Sequence, residues 1–227
     1  MNSKFLEGVD YSHLIKLYDS ARFAELEQEL KSLIRAHPLD FRLLNLSGIC
    51  CYRLGQFERA IDQYKKAIKL NPNFTDARIN LGVVYKILGN YEQAINEYHK
   101  VIDSNPEEFR ALNNIGNLFL EKGDSKSAKQ WFKQALSLKP NASDVLNNLG
   151  LVYKAENQLK MAEKYFLKAI KENKKSYEPA LNLGITFQTT GQCLEAIKYY
   201  DIALGINPEL EIALARKLNQ HATICDW

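Results

Sequence analysis

A repeat with a step of 34 residues constrains the fold of this chain more than any other feature. The sequence Asn-Leu-Gly or Asn-Ile-Gly recurs with that step, and its copies begin at Asn80, Asn114, Asn148 and Asn182. An alanine and then an aromatic residue follow each copy at fixed distances, and a proline closes most intervals. A regular step of this length is typical of a repeat array, in which each unit packs against its sequence neighbours.

Each interval carries the pattern of two helices joined by a short turn. In one interval, apolar residues at helical spacing run from Asp76 to Leu88, and a second helical run extends from Tyr91 to about Ser104. Gly89 stands between them, and glycine ends a helix readily because it adopts the left-handed conformation without Cβ strain. We predict a helical hairpin in every interval. The equivalent turn residues are Gly55, Gly123, Asn157 and Gly191.

A glycine also stands in the middle of the first helix of each hairpin. Gly82 is an example, and glycine costs up to about 1 kcal/mol relative to alanine at such a position. A close approach of the second helix would explain this choice. We therefore predict that the two helices meet at Gly82, with Ala94 as the small partner on the second helix.

The step divides the chain into five repeats with a different segment at each end. The repeats are predicted at 41–74, 75–108, 109–142, 143–176 and 177–210. Residues 1–8 are predicted to be a flexible N-terminus, and residues 9–40 a divergent N-terminal capping hairpin. Residues 211–227 are predicted to form a C-terminal capping helix and tail, in which Ile212, Leu214, Ala215 and Leu218 cover the last repeat.

This combination of residue types at fixed offsets resembles the tetratricopeptide repeat, over essentially residues 7–210. The resemblance implies an all-α fold, a right-handed α-solenoid of antiparallel helix pairs whose first helices line a concave groove. It further implies that the sixth residue of each repeat looks into that groove. In four consecutive repeats this residue is an asparagine, and we call Asn80, Asn114, Asn148 and Asn182 the asparagine column.

A column of asparagines in helices requires an explanation, because the asparagine side chain competes for backbone hydrogen bonds. Its carboxamide offers a donor and an acceptor side by side, which suits the N–H and C=O groups of an extended peptide. Neighbouring helices lie about 8–10 Å apart and an extended chain rises about 3.3 Å per residue, so one asparagine would meet about every third peptide residue. The column therefore favours sequence-tolerant binding of an extended segment of a partner protein.

Further polar residues flank the column and complete the predicted peptide-binding site. They are Asn113, Asn147, Asn117, Lys86, Arg110 and Lys154. Two interpretations remain open for them. The asparagines either bind a peptide or bridge neighbouring helices without any ligand, and the charged residues either select peptide side chains or are ordinary solvated charges.

Composition and motifs argue against other classes of function. The formal net charge of +3 is small for 227 residues, so nucleic acid is a weak candidate as a partner. No apolar run reaches the roughly 18 residues of a membrane span, and the N-terminus has no signal-peptide core, so we expect a cytoplasmic protein that does not bind membranes. Nucleophile motifs, phosphate loops, cofactor fingerprints and metal-ligand spacings are missing, which predicts a non-enzymatic protein without a cofactor or metal.

Two alternatives to a peptide-binding scaffold remain. The asparagine repeats, a short helix and the sequence Cys225-Asp226-Trp227 are similar to the N-terminal half of O-linked N-acetylglucosamine transferases. The chain would then be the substrate-recognition portion of a protein glycosyltransferase whose catalytic region is absent. In the other alternative it is a self-associating assembly protein. The sequence does not predict the oligomeric state.

Overall fold

The computed structural model describes residue 9 and residues 11–225, without the side chains of the last two. The predicted flexible segment 1–8 and the terminal residues Asp226 and Trp227 lie outside this description. The described residues form thirteen α-helices and no strand, which confirms the all-α class.

The helices are grouped by their contacts into two units, one ending at Pro106 and the other beginning at Glu107. The first unit contains α1 (Tyr11–Asp19), α2 (Phe23–Ala36), α3 (Phe41–Arg53), α4 (Phe57–Leu70), α5 (Thr75–Ile87) and α6 (Tyr91–Ser104). The second contains α7 (Phe109–Glu121), α8 (Ser125–Leu138), α9 (Ser143–Ala155), α10 (Leu159–Glu172), α11 (Glu178–Thr189), α12 (Cys193–Ile206) and α13 (Glu211–Cys225). Short turns join consecutive helices into hairpins, which makes them antiparallel neighbours.

The turn inside each hairpin contains a residue in the left-handed conformation. The four predicted glycines have φ between 72° and 79°, and Asn157 has φ of 56°. These predictions are confirmed. The first hairpin uses Ala21 with φ of 55° at the same place, which the sequence analysis missed because alanine gives no turn signal.

The glycines in the first helices make room for an aromatic ring. A Cβ atom on Gly82 would lie 2.4 Å from Cε1 of Tyr98, and one on Gly150 would lie 2.6 Å from Cε1 of Phe166. The close approach of the second helix is therefore confirmed. The group opposite the glycine is the ring, however, and not Ala94 as predicted. The same arrangement joins Gly48 to Tyr64, Gly116 to Phe132 and Gly184 to Tyr200.

The last helix packs with a different face from the one we predicted. On α13, Ala213 and Gln220 are buried, whereas Leu214 and Leu218 are 48% and 59% exposed. Ile212 and Ala215 are exposed as well. The helix is held against α12 partly by polar contacts, since Lys217 forms an ion pair of 2.6 Å with Asp201. The expectation that Ile212, Leu214, Ala215 and Leu218 cover the last repeat was wrong.

Candidate functional site

Three of the four residues of the asparagine column form hydrogen-bonded pairs that join the first helices of neighbouring repeats. In the first unit, Nδ2 of Asn80 on α5 donates to Oδ1 of Asn45 on α3, at 3.1 Å. In the second unit, Nδ2 of Asn148 donates to Asn113 at 3.0 Å, and Nδ2 of Asn182 donates to Asn147 at 2.9 Å. Each of these column residues is thus held by the asparagine that occupies the fifth position of the preceding repeat.

The fifth-position asparagines have mainly a positioning role. Asn113 is only 7% exposed, and its Nδ2 donates at 3.3 Å to Oδ2 of Asp144 while its Oδ1 accepts from Asn148. Its carboxamide is therefore engaged on both sides by protein groups. Asn147 is less buried, and its Oδ1 is occupied by Asn182. These contacts fix the orientation of the column residues and restrict what they can offer to a ligand.

Asn114 and Asn117 differ from the other members of the site. Both are half-buried on α7, one turn apart on the same face. Neither carboxamide forms a hydrogen bond with any residue between 11 and 223. Neither residue has a buried polar atom without a partner, so both carboxamides are accessible to solvent and to a ligand.

In the first unit, the column residue lines a small pocket. Asn80 and Val83 of α5 form one side of this pocket, and Tyr52 and Arg53 of α3 form another. Tyr18 of α1 closes it, and its hydroxyl accepts a hydrogen bond of 3.2 Å from Nε of Arg53. The pocket has a volume of about 160 Å³, which is enough for one side chain.

The three predicted cations have different surroundings. Arg110 is exposed, and its guanidinium donates to the carboxylate of Glu108 at 2.7 and 2.8 Å at the start of α7. It is therefore engaged in a local ion pair. Lys86 is half-buried near the end of α5. Lys154 is half-buried on α9, where burial and then the nearby charge of Arg216 lower the pKa of its ammonium group.

Arg216 lies in the register of the candidate site, and the sequence analysis missed it. It stands in α13 one repeat step after Asn182, so it continues the register of the asparagine column. Its Nη1 donates to Oε1 of Gln188 at 3.0 Å, and its buried Nε has no hydrogen-bond partner among the described residues. Neither Arg216 nor Lys154 forms an ion pair within residues 11–223. The repeat step could have identified this arginine, because it marks the same register position.

The described residues contain neither a metal-type cluster nor a membrane-spanning helix. Among residues 9 and 11–225, no group of histidine, cysteine, aspartate and glutamate side chains has the composition of a metal site. In the same part of the chain, no helix has both the length and the apolar character needed for crossing a bilayer.

The fold and the paired asparagines define a helical-hairpin repeat protein with a polar surface on its first helices. Three models of the tetratricopeptide repeat match it, at residues 50–89, 79–143 and 143–176. Together they cover residues 50–176 without a gap, which is more than half of the chain. The chain therefore belongs to the tetratricopeptide-repeat family, whose arrays are scaffolds for protein–protein interactions.

Among curated proteins, the chain is similar to the protein ycf37 of Cyanophora paradoxa. The two are 32% identical over 83 residues, which is 34% of this chain and 48% of ycf37. The chain thus spans about half the length of this relative.

Solved structures of repeat proteins have the same fold. PilF of Pseudomonas aeruginosa is 26% identical, with a TM-score of 0.70 over 82% of this chain and 85% of its own. The protein TTC0263 of Thermus thermophilus is 20% identical, with a TM-score of 0.70 over 80% and 99%. YrrB, described as having an unusual peptide-binding site, is 21% identical with a TM-score of 0.53 over 83% and 97%. For the last two, the likeness concerns the fold alone.

Proposed function

We propose that this scaffold binds an extended segment of a partner protein on the face of its first helices that carries the asparagine column. The observation that carries the proposal is the pair of half-buried carboxamides on α7, Asn114 and Asn117, without protein partners among the described residues. Asparagine is less favourable than alanine in a helix by roughly 0.5 kcal/mol. Two such residues on one face together forgo about 1 kcal/mol of helix propensity, and binding a ligand would explain their presence.

The paired column residues favour the same function. One N–H of Asn148 and one of Asn182 are used by the neighbouring asparagines. The second N–H and the Oδ1 of each remain available, because a carboxamide has two donors and one acceptor oxygen. Since the pairing already fixes these side chains, a peptide would lose less conformational entropy in binding to them.

The cations Lys154 and Arg216 define the chemistry at the far end of this face. Two neighbouring half-buried cations without an acidic partner attract a carboxylate, which would also raise the pKa of Lys154 again. The preferred segment therefore has an extended backbone along α7, α9 and α11 and an acidic group beside α13. Backbone-directed carboxamides leave the rest of its sequence largely unrestricted.

Asn114 permits a test that separates binding from folding. Peptides are selected from a random library on the intact protein, and their affinity is measured by fluorescence anisotropy for the wild type and for Asn114→Ala/Asn117→Ala. We expect the variant to bind several-fold more weakly while its melting temperature is unchanged or higher, because alanine is the better helix former. Asn96→Ala is the control, since Asn96 is exposed on the second helix α6.

The paired residue Asn148 provides a comparison. Asn148→Ala should lose both affinity and about 0.5–1.5 kcal/mol of stability, because it also breaks the hydrogen bond to Asn113. If the selected peptides bound the Asn114→Ala/Asn117→Ala variant as tightly as the wild type, the proposal would be rejected.

A further inference from the structure

A groove on another face of the first unit has the features of a second binding site. It lies between the second helices α2 and α4 and has α3 as its floor, with a volume of about 620 Å³. We call it the α2–α4 groove. Ile34, Leu44 and Leu70 give it an apolar lining. Its size is within the range of about 300–1,000 Å³ that is usual for ligand pockets.

The charged residues that line this groove are all basic: Lys31, Arg35, Arg59, Lys66 and Lys69. Lys31 and Arg59 share the carboxylate of Glu27, at 2.9 and 2.7 Å. Lys66 forms an exposed pair with Asp62, which contributes little.

Arg35 and Lys69 are the uncompensated cations of this groove. Both are exposed, and neither has an acidic partner within residues 11–223. Arg35 lies in the last turn of α2, and Lys69 lies in the last turn of α4. The groove therefore combines an apolar floor with a positive rim in which two of the five cations lack an acidic partner among the described residues.

The next repeat fills the corresponding space with its own side chains. One repeat step after Leu44 and Gln63 stand Arg78 and Glu97. Nη1 of Arg78 lies 2.9 Å from Oε2 of Glu97, and its Nε and Nη2 donate to the carbonyl oxygen of Pro72 at 3.1 and 3.0 Å. The space between α4 and α6 is thus occupied by a nearly buried ion pair. In the α2–α4 groove, Leu44 and Gln63 form no such pair, so the groove stays open.

We propose that the α2–α4 groove binds an acidic peptide segment anchored by one aliphatic side chain. The anchor would lie on the floor at Leu44, and flanking carboxylates would pair with Arg35 and Lys69. The lining favours a peptide over a nucleic acid, because it contains no aromatic ring on which a base could stack. This site is separate from the asparagine column, because no residue of the column lines the groove.

The proposal is tested with a short synthetic peptide that has a central leucine flanked by glutamates. Its affinity is measured by fluorescence anisotropy at low ionic strength. Arg35→Glu/Lys69→Glu should weaken binding by about tenfold or more, because it replaces attraction by repulsion at both ends. Lys174→Glu/Lys175→Glu, which changes two exposed residues of the second unit by the same charge, should leave the affinity unchanged.

A second variant fills the groove with the ion pair that the next repeat contains. Leu44→Arg/Gln63→Glu installs the pair found at Arg78 and Glu97, and should abolish binding while the circular dichroism spectrum stays helical. If this core variant fails to fold, the charge-reversal variant still decides the question, because Arg35 and Lys69 are exposed.

Three results would overturn the proposal. One is equal affinity of the wild type and the charge-reversal variant for the peptide. Another is equal affinity for a peptide with serine in place of leucine, since the apolar floor would then have no role. The third is tighter binding of a single-stranded oligonucleotide with the same dependence on Arg35 and Lys69, which would identify a phosphate site.

Discussion

The glycines in the first helices have the clearest role at the scale of single residues. A methyl group on Gly150 would lie 2.6 Å from a ring carbon of Phe166, a distance that Cβ atoms do not tolerate. Gly205 in α12 is also helical, but nothing lies within 4 Å of its missing Cβ. Lack of space therefore explains the glycine at position 150 but not the one at position 205.

We expect Gly150→Ala to lower the free energy of unfolding by about 1–3 kcal/mol, because overpacking outweighs the better helix propensity of alanine. Gly205→Ala should raise it by about 0.5–1 kcal/mol, since only the propensity changes. Urea denaturation followed by circular dichroism measures both. A destabilised Gly205→Ala, or an unaffected Gly150→Ala, would show that the close approach of the ring does not control stability.

Asp40 accepts several hydrogen bonds in the first unit. It is buried at the start of α3, and it accepts hydrogen bonds from Tyr11, from the backbone N–H of Arg42 and from the Arg42 guanidinium. Burial opposes its ionisation, but the hydrogen bonds from Arg42 and Tyr11 prevail and hold its pKa below the usual value. Because the folded-state pKa is lower than the unfolded-state pKa, the ionised carboxylate stabilises the fold at any pH above the unfolded-state pKa. This stabilisation is lost as the pH falls through the folded-state pKa.

We therefore expect Asp40→Asn to lower the free energy of unfolding by about 1–3 kcal/mol at neutral pH. The difference from the wild type should shrink on acidification below the ordinary aspartate range, because the wild-type carboxyl is then protonated too. Denaturation at a series of pH values measures this. Asp103→Asn, at an exposed position of α6, should change stability by less than about 0.5 kcal/mol. A constant difference at all pH values would contradict the assigned role of the charge.

The sequence predicted residues whose role is local and missed those whose role depends on packing. The left-handed turn at Asn157 could be predicted because asparagine tolerates that conformation best after glycine. Ala21 has the same backbone conformation without a side chain that indicates it. The contact between Gly82 and the ring of Tyr98 was missed. A glycine in a helix indicates a close neighbour but does not indicate which side chain that neighbour is.

The last helix shows the limit of pattern analysis for a whole element. The spacing of Leu214 and Leu218 predicts an apolar face, but the register of the array buries Ala213. Leu218 stands one repeat step after Gly184, which faces the second helix of its own hairpin. Within the described residues α13 has no second helix of its own to cover this position, so the leucine is exposed. Leu214 occupies the register of Ala180, which is buried, so neither hydrophobicity nor register predicts its exposure without knowing which helices are its neighbours.

The exposure of this face leads to a prediction about α13. Leu214→Glu/Leu218→Glu should change the free energy of unfolding by less than about 1 kcal/mol, because both side chains already contact water. Ala213→Leu should lower it by about 1–3 kcal/mol, since Ala213 is fully buried. Thermal melting of the two variants compares them. Strong destabilisation by the glutamates would mean that the leucines cover a protein surface after all.

The whole molecule repeats one packing rule while varying its surfaces. Glycine, alanine and aromatic residues recur because the two helices of each of the five repeats meet through the same glycine–ring contact. This recurrence made the fold class predictable. The candidate site was predictable only as a set of residues. The fifth-position asparagines resemble the column residues in the sequence, but the structure assigns Asn113 to a hydrogen-bonding position between α7 and α9. Charge partners such as Glu108 of Arg110 depend on local geometry that a repeat pattern does not contain.

The central claim is that the asparagine column binds the backbone of an extended peptide. The most direct test is a crystal structure of the protein with a peptide selected on it. We expect the carboxamides of Asn114 and Asn117 to lie within hydrogen-bonding distance of peptide N–H or C=O groups, with an acidic group of the peptide beside Lys154 and Arg216. If no selected peptide contacts the column and these carboxamides contact water alone, the claim is contradicted, even if a peptide occupies the α2–α4 groove.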